Sequence, residues 1–406
     1  MKKYLNKNSL IILSILTFIA TGCDEKPKIG KVSERNGVLT IKVDLNEVKE
    51  GKLTDYFEPH IDYVILEDND QTEAQIGEIA KLIGHRDRLF VFDWWVGKCV
   101  QIFDRQGNFI RRIRNMGEGP EKYLELADID IVQDTIYLLA HPRKIMKFDL
   151  EGNFISEFNL DFIGRTFHYD SVSSRFFIYG GSRSDFLVRS VDHSGHTVDS
   201  YFPSNPNIFN GAMGDPYNFY KEEDGVYFTK SYLDTLYKFN NRAFEPRIIF
   251  DYGKLKMDHE KMVKMEKEMD PREFMDYFRT NSGFSFSPFG FSNARFLMTR
   301  LSNSDKGYVS VFDKKNNTFD LINFYLINDI DDSFDFYSPV YRLEGDEVAI
   351  AYRGTSLYNK AVEKKQSISA EDWDVYQKGK GKPFIEAAFY GKETENYVLM
   401  ILKTKK

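Results

Sequence analysis

Few residues of this chain are spaced for chemistry. The stretch Met116-Gly117-Glu118-Gly119-Pro120-Glu121-Lys122-Tyr123 has the glycine content of a phosphate-wrapping loop. Such a loop needs glycine N–H groups facing the anion and, in its Walker form, Gly-Lys-Ser/Thr opening a helix. Pro120 removes a donor, and the alternating segment Ile129 to Leu139 follows in place of a helix. The stretch therefore reads as a sharp turn between structural units, with Gly117 and Gly119 giving the freedom to bend and Tyr123 as a plug. Metal signals are thin. His193-Ser194-Gly195-His196 lacks a second ligand pair, and His259-Glu260 lacks the later histidine of a zincin. Asp93, Asp128 and Asp130 could converge and bind calcium, although acids at such positions are more often turn acids. No Ser/His/Asp, EF-hand or paired-cysteine motif occurs, so no cofactor is expected, with calcium the one option left open.

The compartment follows from the first residues. Lys2, Lys3 and Lys7 precede an apolar run from Leu10 to Ala20, too short for a transmembrane helix of about 20 residues, so residues 1–22 read as a signal peptide. Ala20-Thr21-Gly22-Cys23 resembles the lipobox of bacterial lipoproteins, with Ala20 in place of the usual leucine. That resemblance implies cleavage before Cys23 and lipidation of its thiol. Cys99 is then the remaining cysteine, no internal disulfide can form, and its apolar surroundings mark it as a buried hydrophobe and not a nucleophile. Losing three lysines takes the formal charge from −7 to −10, which disfavours nucleic acid as a partner. Residues 23–37 read as a polar tether, and the expected location is the outer membrane.

Positioning comes from a repeat. Val100 to Ile113, VQIFDRQGNFIRRI, and Ile145 to Phe158, IMKFDLEGNFISEF, match at an offset of 45 residues. Each is an alternating strand, an Asp-x-x-Gly-Asn turn and a second alternating strand. Weaker copies lie at Val191 to Gly195, Phe239 to Asn241 and Val311 to Asn316. An all-strand period of about 40 to 50 residues is the mark of a β-propeller. Five hairpins plus the chain ends give six blades of four strands. Tyr397 to Lys403 and the orphan strand Ile61 to Leu66 are expected to pair and close the ring, and Val38 to Leu45 to add a strand near that closure.

Leu66-Glu67, Ile76-Gly77-Glu78-Ile79, Phe103-Asp104 with Gly107, the linker Gly117 to Tyr123, Asp234-Thr235-Leu236-Tyr237 and Phe250-Asp251-Tyr252-Gly253-Lys254 together resemble the six-bladed β-propeller lipoproteins of Gram-negative bacteria, within the NHL/TolB-like propeller superfamily. The family linker commonly reads Gly-x-Gly-Pro-Gly-Glu-Tyr, so Glu121-Lys122 departs from it, as does Tyr397 where proline is common. The resemblance implies architecture and location but no substrate.

Two features interrupt the rhythm. Lys254 to Arg279 carries Met262, Met265 and Met269 at helical spacing, then Asp270-Pro271-Arg272-Glu273 as a helix start, giving a helical insertion at about 254–280. Such a patch either packs on the propeller or serves as a lid or docking face. Ser282 to Phe291, SGFSFSPFGF, reads as a half-buried strand, with an aromatic ligand platform as the rival. Trp94-Trp95 competes for that role, and two neighbours in a strand would point to opposite faces. The expected function is a monomeric, lipid-anchored envelope propeller, residues 38–406, binding a small ligand, glycan or partner protein at the channel mouth without catalysis. Asp93, Trp94, Trp95, His141 and Arg143 are the expected ligand-binding residues. The alternatives are a divalent-cation-dependent propeller hydrolase or lactonase, against which Ala140, Gly180 and Thr229 stand where Asp93 would repeat, and a structural scaffold in an envelope complex.

Overall fold

The computed structural model describes residues 31–68, 73–181, 183–210, 217–222, 224–337 and 340–406. The expected signal peptide, the lipidation residue Cys23 and the tether as far as Gly30 lie outside the described residues.

Among the described residues the strands assemble into six separate sheets. Blade 1 comprises Lys81–His85, Arg88–Asp93, Cys99–Asp104 and Phe109–Ile113; blade 2 Glu125–Val132, Thr135–His141, Lys144–Asp149 and Phe154–Asn159. Blade 3 runs from Thr166–Asp170 to Thr197–Pro203, blade 4 from Phe219–Glu222 to Phe244–Asp251, and blade 5 from Phe284–Ser292 to Thr318–Ile327. Blade 6 is composite: Tyr341–Arg342, Glu347–Arg353 and Tyr397–Thr404 receive Phe57–Ile65 from the N-terminal side as their outer strand, antiparallel to Tyr397–Thr404. The innermost strand of each blade touches that of the next, and blade 6 touches blade 1, so the six sheets close a ring. The expected all-β architecture and its seam are both present.

Each sheet is covered on both faces by its neighbours, so the middle strands are continuously apolar and do not alternate: Arg88–Asp93 is buried from Leu89 onward. Between blades 1 and 2, for example, Phe90, Phe92, Val100 and Ile102 pack against Ile129, Leu138, Met146 and Phe148. The five repeat turns are local chemistry. Asp104 Oδ1 accepts the N–H groups of Gln106 and Asn108, and Asp149, Asp192, Asn240 and Asp313 act alike in their own turns. Gly195 has φ +84°, and a Cβ there would lie 1.8 Å from the Asn159 carbonyl oxygen of the preceding blade, so that turn needs glycine twice over.

The N-terminal segment departs from expectation. Val38–Lys42 is not at the closure: it runs parallel to Phe244–Asp251 on the outer edge of blade 4. The tether also ends earlier than residue 37, because Val32–Arg35 folds back on Val38–Lys42 through Asn36-Gly37, both with positive φ. Val48–Lys52 then runs parallel to the outer strand of blade 5 before the chain enters blade 6. One strap thus covers three successive sheet edges that would otherwise expose unpaired backbone groups.

Helices His259–Glu268 and Pro271–Asn281 form the expected insertion, capped by Asp258 and Asp270, with Met262 and Phe274 packed against Phe209 and Met257. A second helical insertion was not expected. Gly354–Ser367, Ala370–Lys378 and Lys382–Tyr390 lie between the second and third strands of blade 6, burying Leu357, Trp373, Tyr376 and Phe384 against Val398. Because strands in each blade alternate in direction, loops between second and third strands and connections between blades leave the ring on one face. Both insertions and all the expected site residues are on that face.

Candidate functional site

The linker between blades 1 and 2 organises this part of the face. Gly117 and Gly119 have φ of 138° and 105°, and Gly117 N–H donates to the Tyr123 carbonyl at 2.9 Å, which closes the turn. Tyr123 is 1% exposed and donates its hydroxyl to the Lys98 carbonyl at 2.8 Å, the plug the sequence suggested. Arg114 Nε donates to the Gly97 carbonyl, so the linker is stitched to the loop carrying Trp94 and Trp95. On its other side, Leu124 N–H donates to the His141 carbonyl. The linker therefore joins the loop ends of two neighbouring blades.

Trp94 and Trp95 lie in the turn after the strand ending at Asp93, not within the strand. They do not point to opposite faces: both are exposed, at 42% and 65%, with ring centroids 5.4 Å apart. Val96 in the same turn, and Met116 and Leu124 of the linker, are also exposed. On the other side of the linker, His141, Pro142 and Arg143 face it across an open cleft of about 390 Å³. Lys144 is buried in its wall, 2.9 Å from Glu157, and its Nζ also reaches the Gly119 carbonyl at 3.4 Å.

Asp93 has a different role from the one expected. It is fully buried, with Oδ1 accepting from Val96 and Gly97 N–H and Oδ2 from Gly77 and Glu78 N–H. Four backbone donors occupy the carboxylate, so it shapes the tryptophan turn and offers a ligand nothing. Asp128 and Asp130 are not turn acids either. They sit on the innermost strand of blade 2, and they accept the N–H groups of Phe167 and Tyr169 on the innermost strand of blade 3. Lys81 of blade 1 reaches Asp128 Oδ1 at 2.5 Å, and His168 Nδ1 is 2.9 Å from Asp130. Burial pushes the Asp128 carboxyl up to about 6, against the pull of Lys81. Burial also opposes ionisation of Asp130, but His168 and the Tyr169 N–H outweigh it and hold that carboxyl below the ordinary range.

The channel mouth is not free space. Tyr217, just ahead of blade 4, donates its hydroxyl to the Ala80 carbonyl of the opposite side, with Lys81 Nζ 5.1 Å from its ring centroid. Phe284, Phe286 and Phe291 are each 1% exposed, which removes the aromatic platform proposed for that strand. His193 is held by Lys147 and Tyr169, while His196 points to solvent, so the pair does not converge. Among the described residues, no three His, Cys, Asp or Glu side chains come together as a metal site, and no helix is long and apolar enough to cross a membrane. Burial pushes the Cys99 thiol up to about 12, so it is no nucleophile. Lys122 and Lys144 of the cleft escaped the sequence reading, because nothing local shows that the linker folds over the next blade's loop.

The family model for DUF4934, a domain of unknown function, matches residues 37–403. The chain belongs to the DUF4934 family. Among solved structures, a candidate exported protein of Bacteroides fragilis is similar at 13% identity and TM-score 0.64, over 90% of this chain and 99% of that one. BamB of Moraxella catarrhalis is similar at 10% identity and TM-score 0.37, over 66% of this chain and 68% of that one. A Bacteroides caccae protein of unknown function aligns at 14% identity and TM-score 0.32, over 42% of this chain and 59% of that one. No curated protein matches. At this identity the B. fragilis structure speaks for the fold of this DUF4934 member and for nothing further.

Proposed function

We propose that this DUF4934 protein is an exported, lipid-anchored, monomeric β-propeller of the cell envelope that binds a glycan on the loops of blades 1 and 2 without turning it over. The observation that carries the reading is the pair of exposed indoles, on a loop tied to the same linker that walls a polar cleft. Large aromatic surfaces left in water are unfavourable, and a contiguous patch of them marks a contact site. A sugar ring presents a C–H face that stacks on an indole and hydroxyls that need polar partners, and the cleft supplies such partners in His141, Arg143 and the linker backbone. A binding role without turnover is supported by Asp93, Asp128 and Asp130: all three are committed to backbone donors or cations, so none of these three is open to serve as a catalytic acid, base or calcium ligand. The lipobox-like sequence ending at Cys23 supports anchoring, with the outer membrane as the expected location.

Calorimetric titration of the full-length, detergent-purified protein with neutral and acidic oligosaccharides tests this. Saturable binding that is lost in a Trp94→Ala/Trp95→Ala variant with an unchanged melting temperature is the expected result. Binding that survives removal of both indoles would overturn the assignment of the site.

A further inference from the structure

We infer that the cleft across the linker from the tryptophans takes the carboxylate of an acidic glycan, a uronate-bearing oligosaccharide, with Arg143 and Lys122 as the cations that recognise it. This rests on the glycan-binding reading above and narrows it.

The chain is acidic overall, and the buried cation of the cleft is already neutralised, Lys144 by Glu157. Arg143 and Lys122 are not: among the described residues neither has a carboxylate partner within ion-pairing distance. Arg143 spends one N–H on the Asp161 carbonyl at 3.3 Å, which steadies the guanidinium and leaves most of its fork open. Lys122 is folded back over the linker, its Cδ 3.1 Å and its Nζ 3.8 Å from where a Cβ on Gly117 would sit. The absent side chain at Gly117 thus makes room for the Lys122 stem and sets its ammonium at the cleft.

Besides the Lys144–Glu157 pair, the cleft is lined by Arg143, Lys122 and one further carboxylate, Glu118, so the open cations outnumber the open acid; one of them is a planar fork, and a guanidinium can grip a ligand carboxylate through two parallel hydrogen bonds. Partial enclosure strengthens that attraction relative to open water. The tryptophan ledge decides in favour of a sugar and against an acidic peptide. Adjacent indoles offer flat stacking surface for a ring, whereas a run of acidic side chains would call for a row of cations, and the cleft has two that are open.

Tetragalacturonate and its methyl ester share one backbone and differ in charge, so they separate this inference from the broader one. With the full-length protein, calorimetry is expected to give binding of the acid about tenfold or more tighter than the ester, the loss that follows from removing a charged hydrogen-bonded pair. Arg143→Gln is expected to weaken the acid and leave the ester unchanged, Lys122→Gln to do so less strongly, and Trp94→Ala/Trp95→Ala to weaken both. Equal affinity for acid and ester, with both lost when the indoles are removed, would overturn the charge inference and leave the glycan reading standing. Binding of neither would overturn both. Oligoglutamate of equal charge binding as tightly, and indifferent to loss of the indoles, would transfer the cleft to acidic peptides and refute the inference.

Discussion

Replacing Lys81 by methionine isolates the tie that joins the first three blades at the channel. The Lys81 and Asp128 side chains are 12% and 1% exposed, and their contact at 2.5 Å supplies, among the described residues, the cation paired with Asp128. After the change Asp128 keeps the N–H groups of Ile129 and Phe167, at 2.8 and 2.9 Å, but its charge is buried without compensation. Breaking a buried pair on one side costs about 3–5 kcal/mol. With roughly 370 folded residues and about 2.1 cal/mol/K per residue, that lowers the melting temperature by about 4–6 °C. The loss depends on pH with a definite sign. Burial already raises the Asp128 carboxyl to about 6, above its unfolded value of about 3.9, so the native state binds the extra proton and stability falls as pH rises through that window. Removing Lys81 raises the carboxyl further, so Lys81→Met should lose most of the figure at pH 8 and distinctly less at pH 5. Asp128→Asn leaves Lys81, whose side chain is 12% exposed, with partial access to solvent and should cost about 1–2 kcal/mol, and the double variant Lys81→Met/Asp128→Asn should fall short of the summed losses by about 2 kcal/mol. Denaturant unfolding at the two pH values measures all of this. A Lys81→Met loss below about 1 kcal/mol, or one equal at pH 5 and pH 8, would refute the assignment of this pair as an inter-blade tie.

Glu121 holds φ +60°, in the left-handed region that favours glycine, so Glu121→Gly should stabilise the protein by about 0.5–1 kcal/mol in chemical denaturation. Gly195→Ala should cost at least about 2 kcal/mol and lower expression, because the new methyl would collide with the Asn159 carbonyl at a positive φ; a loss under 0.5 kcal/mol would mean that the two blades separate easily there. His259 is held below its ordinary value by burial and by Lys230 and Lys256, so the unfolded chain takes up a proton that the folded one resists. Stability should therefore fall as pH drops below about 6.5, and His259→Gln should flatten that part of the profile. Since Asp93, Asp128 and Asp130 are occupied, the melting temperature in excess calcium should agree with that in chelator to within about 1 °C; a clear upward shift would revive the cation-dependent hydrolase.

What could be read from the sequence divides along the range of the interactions. The Asp-x-x-Gly-Asn turns are made by bonds two to four residues apart, as at Asp104 and Asp149, so the hairpins and the propeller followed from them. The seam was legible because Ile61 to Leu66 had no local partner and a closed ring needs one. The parallel strap was not, since which outer edge Val38–Lys42 covers depends on the path of the chain around the disc. Its first hairpin left a signal in Asn36-Gly37 that polar composition obscured. The C-terminal helices announced themselves weakly, through Ser369 capping Asp372 and Pro383 near a helix start, inside a polar stretch. At the site, Trp94 and Trp95 are exposed and His141 and Arg143 line a cleft, but Asp93 turned inward because its donors Gly77 and Glu78 come from a different connection.

Three tryptophans make the central claim directly measurable. Trp94 and Trp95 are on the ledge and Trp373 is 6% exposed within the helical insertion of blade 6. Titrating the full-length protein with uronate-bearing and neutral oligosaccharides while recording tryptophan emission should give a saturable change for a binding sugar. That change should vanish in Trp94→Phe/Trp95→Phe, where Trp373 alone remains to report. A saturable change that persists in that variant, or none for any oligosaccharide, would contradict the account.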